Sequence, residues 1–173
     1  MNDYVAALLF FLPAGVANMS PVIANKFPWL NQWETPMDFG KTWRGKPVFG
    51  KNKRLRGIVF GTIMGGLTAV IVSKFNANTV VTLAPFWMGS LLGFGALLGD
   101  AIESFFKRRR GIDAGQSWFP FDQTDYIIGG LLIALPFVAI PLWAVGTIII
   151  TYFGLHLVIA YMAYLCGLKS SPI

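Results

Sequence analysis

The sequence predicts an all-α fold, a polytopic membrane bundle of about five transmembrane helices with two long cytoplasmic loops, in one domain over residues 1–173. Three observations predict it. Hydrophobic residues make up 55% of the chain and charged residues only 13%, a balance outside the range of soluble domains. The apolar residues gather in windows near the ~20 residues needed to cross ~30 Å of hydrocarbon. The cations, finally, fall almost wholly in alternate connections between those windows.

The first window, 5–23, has no basic stretch before it and no small-residue cleavage site after it. It reads as a retained helix and not as a signal peptide. The loop at 24–56 carries Lys26, Lys41, Arg44, Lys46, Lys51, Lys53, Arg54 and Arg56, and connections longer than ~12 to 15 residues are usually functional or disordered. Its "GKT" at Gly40 to Thr42 is not a Walker phosphate loop, because Thr35 stands where the motif needs a glycine and no strand precedes it. What remains is two related pieces, Lys41 to Gly45 and Lys53 to Gly57, whose glycines let backbone approach a ligand while cations surround it. Trp43 and Phe49 suit headgroup anchoring, with base stacking as the other use.

The windows at 57–73 and 80–106 follow, the second turning polar after Leu98. Asp100, Glu103, Ser104 and Lys107 are three or four apart, so a helix puts them on one face, which continues backwards through Ala96, Gly93 and Gly89. Such a stripe is expected to face the bundle interior. An ionisable group at the membrane boundary marks a functional site, while a plain Glu103 to Lys107 helix pair is the structural alternative. The second long loop, 107–125, opens on Lys107, Arg108, Arg109 and Arg110 and closes on "FDQTD". There Asp122 is expected as the N-cap of the next helix and Asp125 as its third-position acid.

The last two windows, 126–143 and 144–167, abut, with Pro136 and Pro141 placed to kink the first of them. The single Cys166 excludes an internal disulfide. Since only Lys74 lies on the side opposite the other cations, the positive-inside rule puts the N-terminus outside and the C-terminus and both long loops in the cytoplasm. The net charge of +6 is then a property of the cytoplasmic face, where lysines and arginines orient helices and touch anionic lipid. No nucleic acid is needed to explain it.

If the third and fourth windows are adjacent and antiparallel, Asp100 and Glu103 come near Asp122 and Asp125. Carboxylates converging without a histidine or thiol suit a hard cation, Mg²⁺ or Mn²⁺, and not zinc. Carboxylates for a metal beside cations for phosphate oxygens are together what phosphoryl or nucleotidyl transfer requires. The only histidine, His156, lies in the last apolar window and reads as a packing or helix-bonding residue.

Four segments carry a resemblance: "NMSP" at Asn18 to Pro21, "PMDFGKTWRGKPVFGKNKRLRG" from Pro36, "GDAIESFFKRRRGI" from Gly99 and "FDQTDYIIGG" from Phe121. In that order they resemble the archaeal-type CTP-dependent CDP-archaeol synthases, compact relatives of the phosphatidate cytidylyltransferases. One departure is visible, Arg54-Leu55-Arg56-Gly57 where the family reads threonine-tryptophan-arginine-glycine. The resemblance implies a multi-pass cell-membrane enzyme that transfers CMP from CTP to 2,3-bis-O-geranylgeranyl-glycerol 1-phosphate with Mg²⁺, its partners being CTP, a prenyl ether lipid phosphate and the bilayer. It implies Asp100, Asp122 and Lys107 in catalysis, with Asp100, Asp122 and Asp125 on the metal. Lys41, Arg44, Lys51, Asn52, Lys53, Arg56, Lys107 and Arg108 are implied around nucleotide and phosphate, supported by Asp38, Glu103, Ser104 and Gln123. Asn18, Ser20 and Pro21 either line the lipid cavity or bond a neighbouring helix, and Arg109 and Arg110 are expected to tolerate replacement.

Three other classes compete. A CDP-alcohol phosphotransferase would carry a D-G-x-x-A-R signature, which this chain lacks. Acyl transfer to glycerol phosphate gives no reason for two carboxylate pairs. A transporter or channel would place its ionisable residues at mid-membrane.

Overall fold

The computed structural model describes residues 3–75 and 85–167. Its elements run α1 (Asp3–Ala24), α2 (Pro28–Asn31), β1 (Thr42–Trp43), β2 (Lys46–Pro47), α3 (Leu55–Phe75), α4 (Pro85–Arg110), α5 (Phe121–Ala134) and α6 (Leu142–Leu165). By length and composition α1, α3, α4 and α6 are able to cross a membrane. The fifth long helix, α5, has 14 residues and so spans about 21 Å.

Two expected boundaries move. The window at 126–143 becomes a helix that starts at Phe121 and stops at Ala134. The start shifts because the Trp118 carbonyl accepts the Phe121 and Asp122 amides and the Pro120 carbonyl accepts that of Gln123, which supplies the first turn. The stop follows from Pro136, which has no amide to donate and whose ring crowds the preceding turn. Pro141 then caps α6, which begins at Leu142 and not at 144. The expected segment 80–84 and Lys169 lie outside the described residues.

The helix α4 is central, packing against α1, α3 and α5, while α6 lies against α1 and α5. Small residues permit this. A Cβ on Gly65 would sit 2.6 Å from the Gly89 carbonyl oxygen, and one on Gly95 would sit 2.6 Å from that of Gly129, so backbone meets backbone on both sides of α4. Lipid offers no hydrophobic drive between helices, and such close approach replaces it with dispersion contact. The core between α1, α4, α5 and α6 holds Phe11, Leu92, Tyr126, Ile127, Ile148 and Tyr152. Its two phenols are not left unpaired: Tyr126 donates to the Tyr152 carbonyl (3.0 Å) and Tyr152 to that of Leu8 (2.7 Å). A buried hydroxyl without water must find such an acceptor.

The first loop is ordered by charge and turn chemistry. The pairing of β1 with β2 sets Thr42 opposite Pro47 and Trp43 opposite Lys46, and the two residues between them, Arg44 (φ 51°) and Gly45 (φ 74°), take the left-handed backbone that a two-residue hairpin turn demands. The Asp38 carboxylate accepts the amides of Gly40 (3.0 Å), Phe49 (2.9 Å) and Gly50 (3.3 Å). Burial works against ionisation of Asp38, yet these amides, Phe49 foremost, outweigh it and hold the carboxyl below its ordinary value.

Candidate active site

The charged end of the bundle is assembled by one backbone contact. A Cβ on Gly99 would collide with the Asp125 carbonyl, so only glycine lets the last turns of α4 lie on the first turns of α5. That approach brings one carboxylate oxygen from each of Asp100, Glu103 and Asp125 within 4.8 Å of the others. Glu103 Oε1 is buried and has no hydrogen-bond partner. Its nearest cation, Lys107 Nζ at 3.6 Å, is too far for a hydrogen bond. Three crowded carboxyl groups, one with an unmatched buried oxygen, form an all-oxygen donor set of the kind hard divalent cations take. The residues fit such an ion.

Cations close the cluster from two sides. Lys53, from the first loop, places Nζ 2.5 Å from Asp100 Oδ2. Lys107 donates to Asp122 Oδ1 at 2.7 Å, and Asp122 Oδ2 accepts the Trp118 amide at 2.7 Å. Asp122 is therefore not the expected N-cap. Pro120 holds that position, with no side-chain cap bond, because the helix starts earlier than the hydropathy suggested. For the same reason Asp125 lies beyond the third helical residue.

Two polar cavities meet at Asn52, Lys53 and Asp100. The larger, about 270 Å³, is walled by Phe49, Glu103, Lys107, Arg108, Asp122 and His156 among others. The smaller, about 190 Å³, extends past Asn25, Arg54 and Arg56 towards Pro21 and Leu97. Of the other expected residues, Ser104 also lines the larger cavity, and Gln123 is buried with its Oε1 unpartnered. Lys41, Arg44 and Lys51 are exposed and line neither cavity. Arg56 is buried and spends its guanidinium on the carbonyls of Leu30, Asn31 and Trp33 and on Asn25 Oδ1. The three first-helix residues separate: Asn18 lines an apolar groove, Ser20 donates to the Val16 carbonyl of its own helix (2.7 Å), and Pro21 packs against Gly57.

Arg109 is the residue whose part the sequence hid. Instead of standing free, it donates to the carbonyls of Trp43 (2.5 Å), Lys46 (3.1 Å) and Pro47 and lies over the Phe105 ring, clamping the hairpin to α4. Gln116, Ser117 and His156 also reach the larger cavity. For His156 a signal existed, since Tyr152, His156 and Ala160 recur every fourth residue and so share a helix face.

Carboxylates and cations packed at one end of an apolar bundle suit a membrane protein that handles polyanions, and comparison with known proteins decides the family. Residues 1–173, the whole chain, match the family model described as CarS-like, CDP-archaeol synthase. The chain belongs to the CDP-archaeol synthase family. It is similar to the CDP-archaeol synthase of Pyrococcus furiosus, 35% identical over 99% of either chain, and to that of Haloarcula marismortui, 38% identical over 99% of this chain and 98% of the other. The Methanospirillum hungatei synthase is 35% identical over 87% of this chain and 96% of its own. Among solved structures, an intramembrane enzyme for archaeal membrane lipid biosynthesis superposes with a TM-score of 0.77 at 26% identity, covering 88% of this chain and 91% of that one. The expected family, helical membrane fold and cytidylyltransferase class are thereby borne out, and the phosphotransferase, acyltransferase and channel alternatives fall away.

Proposed function

We propose that the two cavities meeting at Lys53 and Asp100 carry out the family's reaction, transfer of CMP from CTP to 2,3-bis-O-geranylgeranyl-glycerol 1-phosphate, with release of pyrophosphate. The observation that carries this is the three-carboxylate cluster of Asp100, Glu103 and Asp125 flanked by the ammonium groups of Lys53 and Lys107. A Mg²⁺ or Mn²⁺ ion held by those carboxylates would supply charge neutralisation and polarisation of the phosphate oxygens.

The chain's own residues do the rest. A lipid phosphate monoester and a triphosphate repel one another, so cations must offset the charge before an oxygen of the monoester reaches the α-phosphorus. Lys53, Lys107 and Arg108 line the cavity where that charge collects, and Asn52, on the wall common to both cavities, offers an amide to either substrate. Asp122 holds Lys107 in place, a positioning role in place of the expected one as a metal ligand, since the converging carboxylates are those of Asp100, Glu103 and Asp125. The lipid phosphate oxygen bonds to the α-phosphorus of CTP as the bond to the bridging oxygen breaks, and pyrophosphate departs with that electron pair. The nucleophile arrives with the substrate, so no serine, cysteine or histidine nucleophile is required. The cations on the loops at this end of the bundle support, by the positive-inside rule, a site facing the cytoplasm, where CTP is available, and an N-terminus outside.

The test is turnover with CTP labelled at the α-phosphate, offered an ether-linked prenyl glycerol phosphate or an ester-linked acyl one. Label entering the ether lipid with stoichiometric pyrophosphate supports the assignment. Preference for the acyl lipid, or pyrophosphate without labelled lipid, overturns it.

A further inference from the structure

We infer that His156 binds the phosphate end of the lipid substrate, at the point where an apolar groove open to the bilayer abuts the charged cavity. This rests on the cytidylyl-transfer reading and names a residue for it. The groove, about 280 Å³, lies between α1, α5 and α6. Its lining is apolar in character: the two phenols in its wall, Tyr126 and Tyr152, have already donated their hydroxyl protons to backbone carbonyls. Its rim residues Met19, Leu155 and Ile159 are 49%, 46% and 41% exposed on helices long and apolar enough to span a membrane. The groove therefore opens sideways into hydrocarbon.

Among the described residues, His156 is the one that lines both this groove and the cavity containing Lys107 and Asp122. A substrate with prenyl chains and a phosphate cannot lie in either compartment alone. Chains in water lose about 25 cal/mol for each Å² of apolar surface left unburied, and a phosphate in the groove would be an anion without partners. The favourable placement straddles the boundary, and the boundary is His156. An imidazole suits it, with an apolar ring face and a nitrogen donor at the edge. The ring is steadied by Tyr126, centroid to centroid 5.8 Å at 36°, in the turn after Asp122. Asn18 also lines the groove but not the charged cavity, which suits it to the ether oxygens and not to the phosphate.

The experiment is steady-state kinetics in mixed micelles with each substrate varied at saturation of the other, together with equilibrium binding of the geranylgeranyl ether glycerol phosphate in the absence of CTP. His156→Phe should raise KM for the lipid phosphate and weaken its binding about ten-fold, the loss of one hydrogen bond to a charged group, with KM for CTP changed less than about two-fold. His156→Gln, which retains a donor, should recover part of the loss. Ala163→Trp, which narrows the groove away from the phosphate, should give the same lipid-specific effect if His156→Phe does not fold. Equal rises in both KM values, or lipid binding in His156→Phe equal to wild type, overturn the inference, as does unchanged lipid binding in His156→Gln and Ala163→Trp where His156→Phe does not fold. Absence of pyrophosphate release by the wild type sinks the reaction instead, and the binding difference between wild type and His156→Phe still decides the residue.

Discussion

Lys53 Nζ lies 2.5 Å from Asp100 Oδ2 and joins residues 47 apart in sequence, tying the first loop to the end of α4 where the two polar cavities meet. Each partner faces ligands of opposite charge: Asp100 belongs to the carboxylate cluster, and the Lys53 ammonium stands in a cavity suited to phosphate. Asp100→Asn should lower turnover by about 10²-fold or more while the protein stays folded, because transition-state charge stabilisation is removed and packing is not. Manganese binding followed by electron paramagnetic resonance should weaken in parallel. Unchanged binding would remove Asp100 from the ion's ligands.

Lys107 and Asp122 are 2.7 Å apart and should act as a unit. Lys107→Met and Asp122→Asn should each depress kcat about ten-fold or more, and the double variant should be little worse than either, since residues sharing one interaction are not additive. Fully additive losses in that double-mutant cycle would mean that Asp122 has a task apart from holding Lys107.

Arg109 should prove intolerant of replacement. Arg109→Ala removes donors to three hairpin carbonyls, at about 2 kcal/mol for a half-exposed charged group, and should speed proteolysis at the exposed segment 41–46. Arg109→Lys should restore little, because one ammonium cannot reproduce the planar fork. Protease resistance equal to wild type in Arg109→Ala would return this residue to the simple topological role its sequence suggested.

The first loop should loosen in acid. Asp38 titrates below its ordinary value, so its contribution is fully present above the unfolded value near 3.9 and fades as pH falls through the lower folded value. Protease resistance around Phe49 should therefore hold at pH 5 and decline below about pH 4, whereas Asp38→Asn should be susceptible at both. Identical acid profiles in the two proteins would show that some other carboxylate orders the loop.

Gly99→Ala should cost about 1 to 3 kcal/mol of stability and reduce activity further than that loss explains, because a Cβ there meets the Asp125 backbone and pushes apart the two helices that present the carboxylates. Gly154→Ala, where a Cβ has no neighbour within 4 Å, should leave turnover unchanged and should not lower the melting temperature, since alanine is the better helix former.

The bundle was legible because hydropathy over ~20 residues reports span directly, and the acidic face of α4 because spacing of three and four survives translation into a helix. Asp122 and Asp125 were legible as a pair but not in their helical positions, since three backbone bonds to Trp118 and Pro120 carry α5 past the edge of its apolar window. The fates of Arg56 and Arg109 could not be read at all. Their backbone acceptors are carbonyls 23 to 26 and 62 to 66 residues away, and every residue has a carbonyl. The four-residue spacing of Tyr152, His156 and Ala160 puts them on one face of α6, but the groove that this face lines is completed by α1 and α5, which no spacing within α6 could show.

The most direct test of the carboxylate cluster as the site of CMP transfer is lipid labelling from CTP carrying its label on the α-phosphate, with Mg²⁺ and the ether-linked prenyl glycerol phosphate, compared between wild type and Glu103→Gln. Glu103 holds the unpartnered oxygen of the cluster, and its amide replacement keeps size and shape. Efficient labelling by wild type and a loss of about 10²-fold or more in Glu103→Gln, partly relieved by raising Mg²⁺, is the predicted result. Wild-type labelling rates in Glu103→Gln at limiting Mg²⁺ would contradict it.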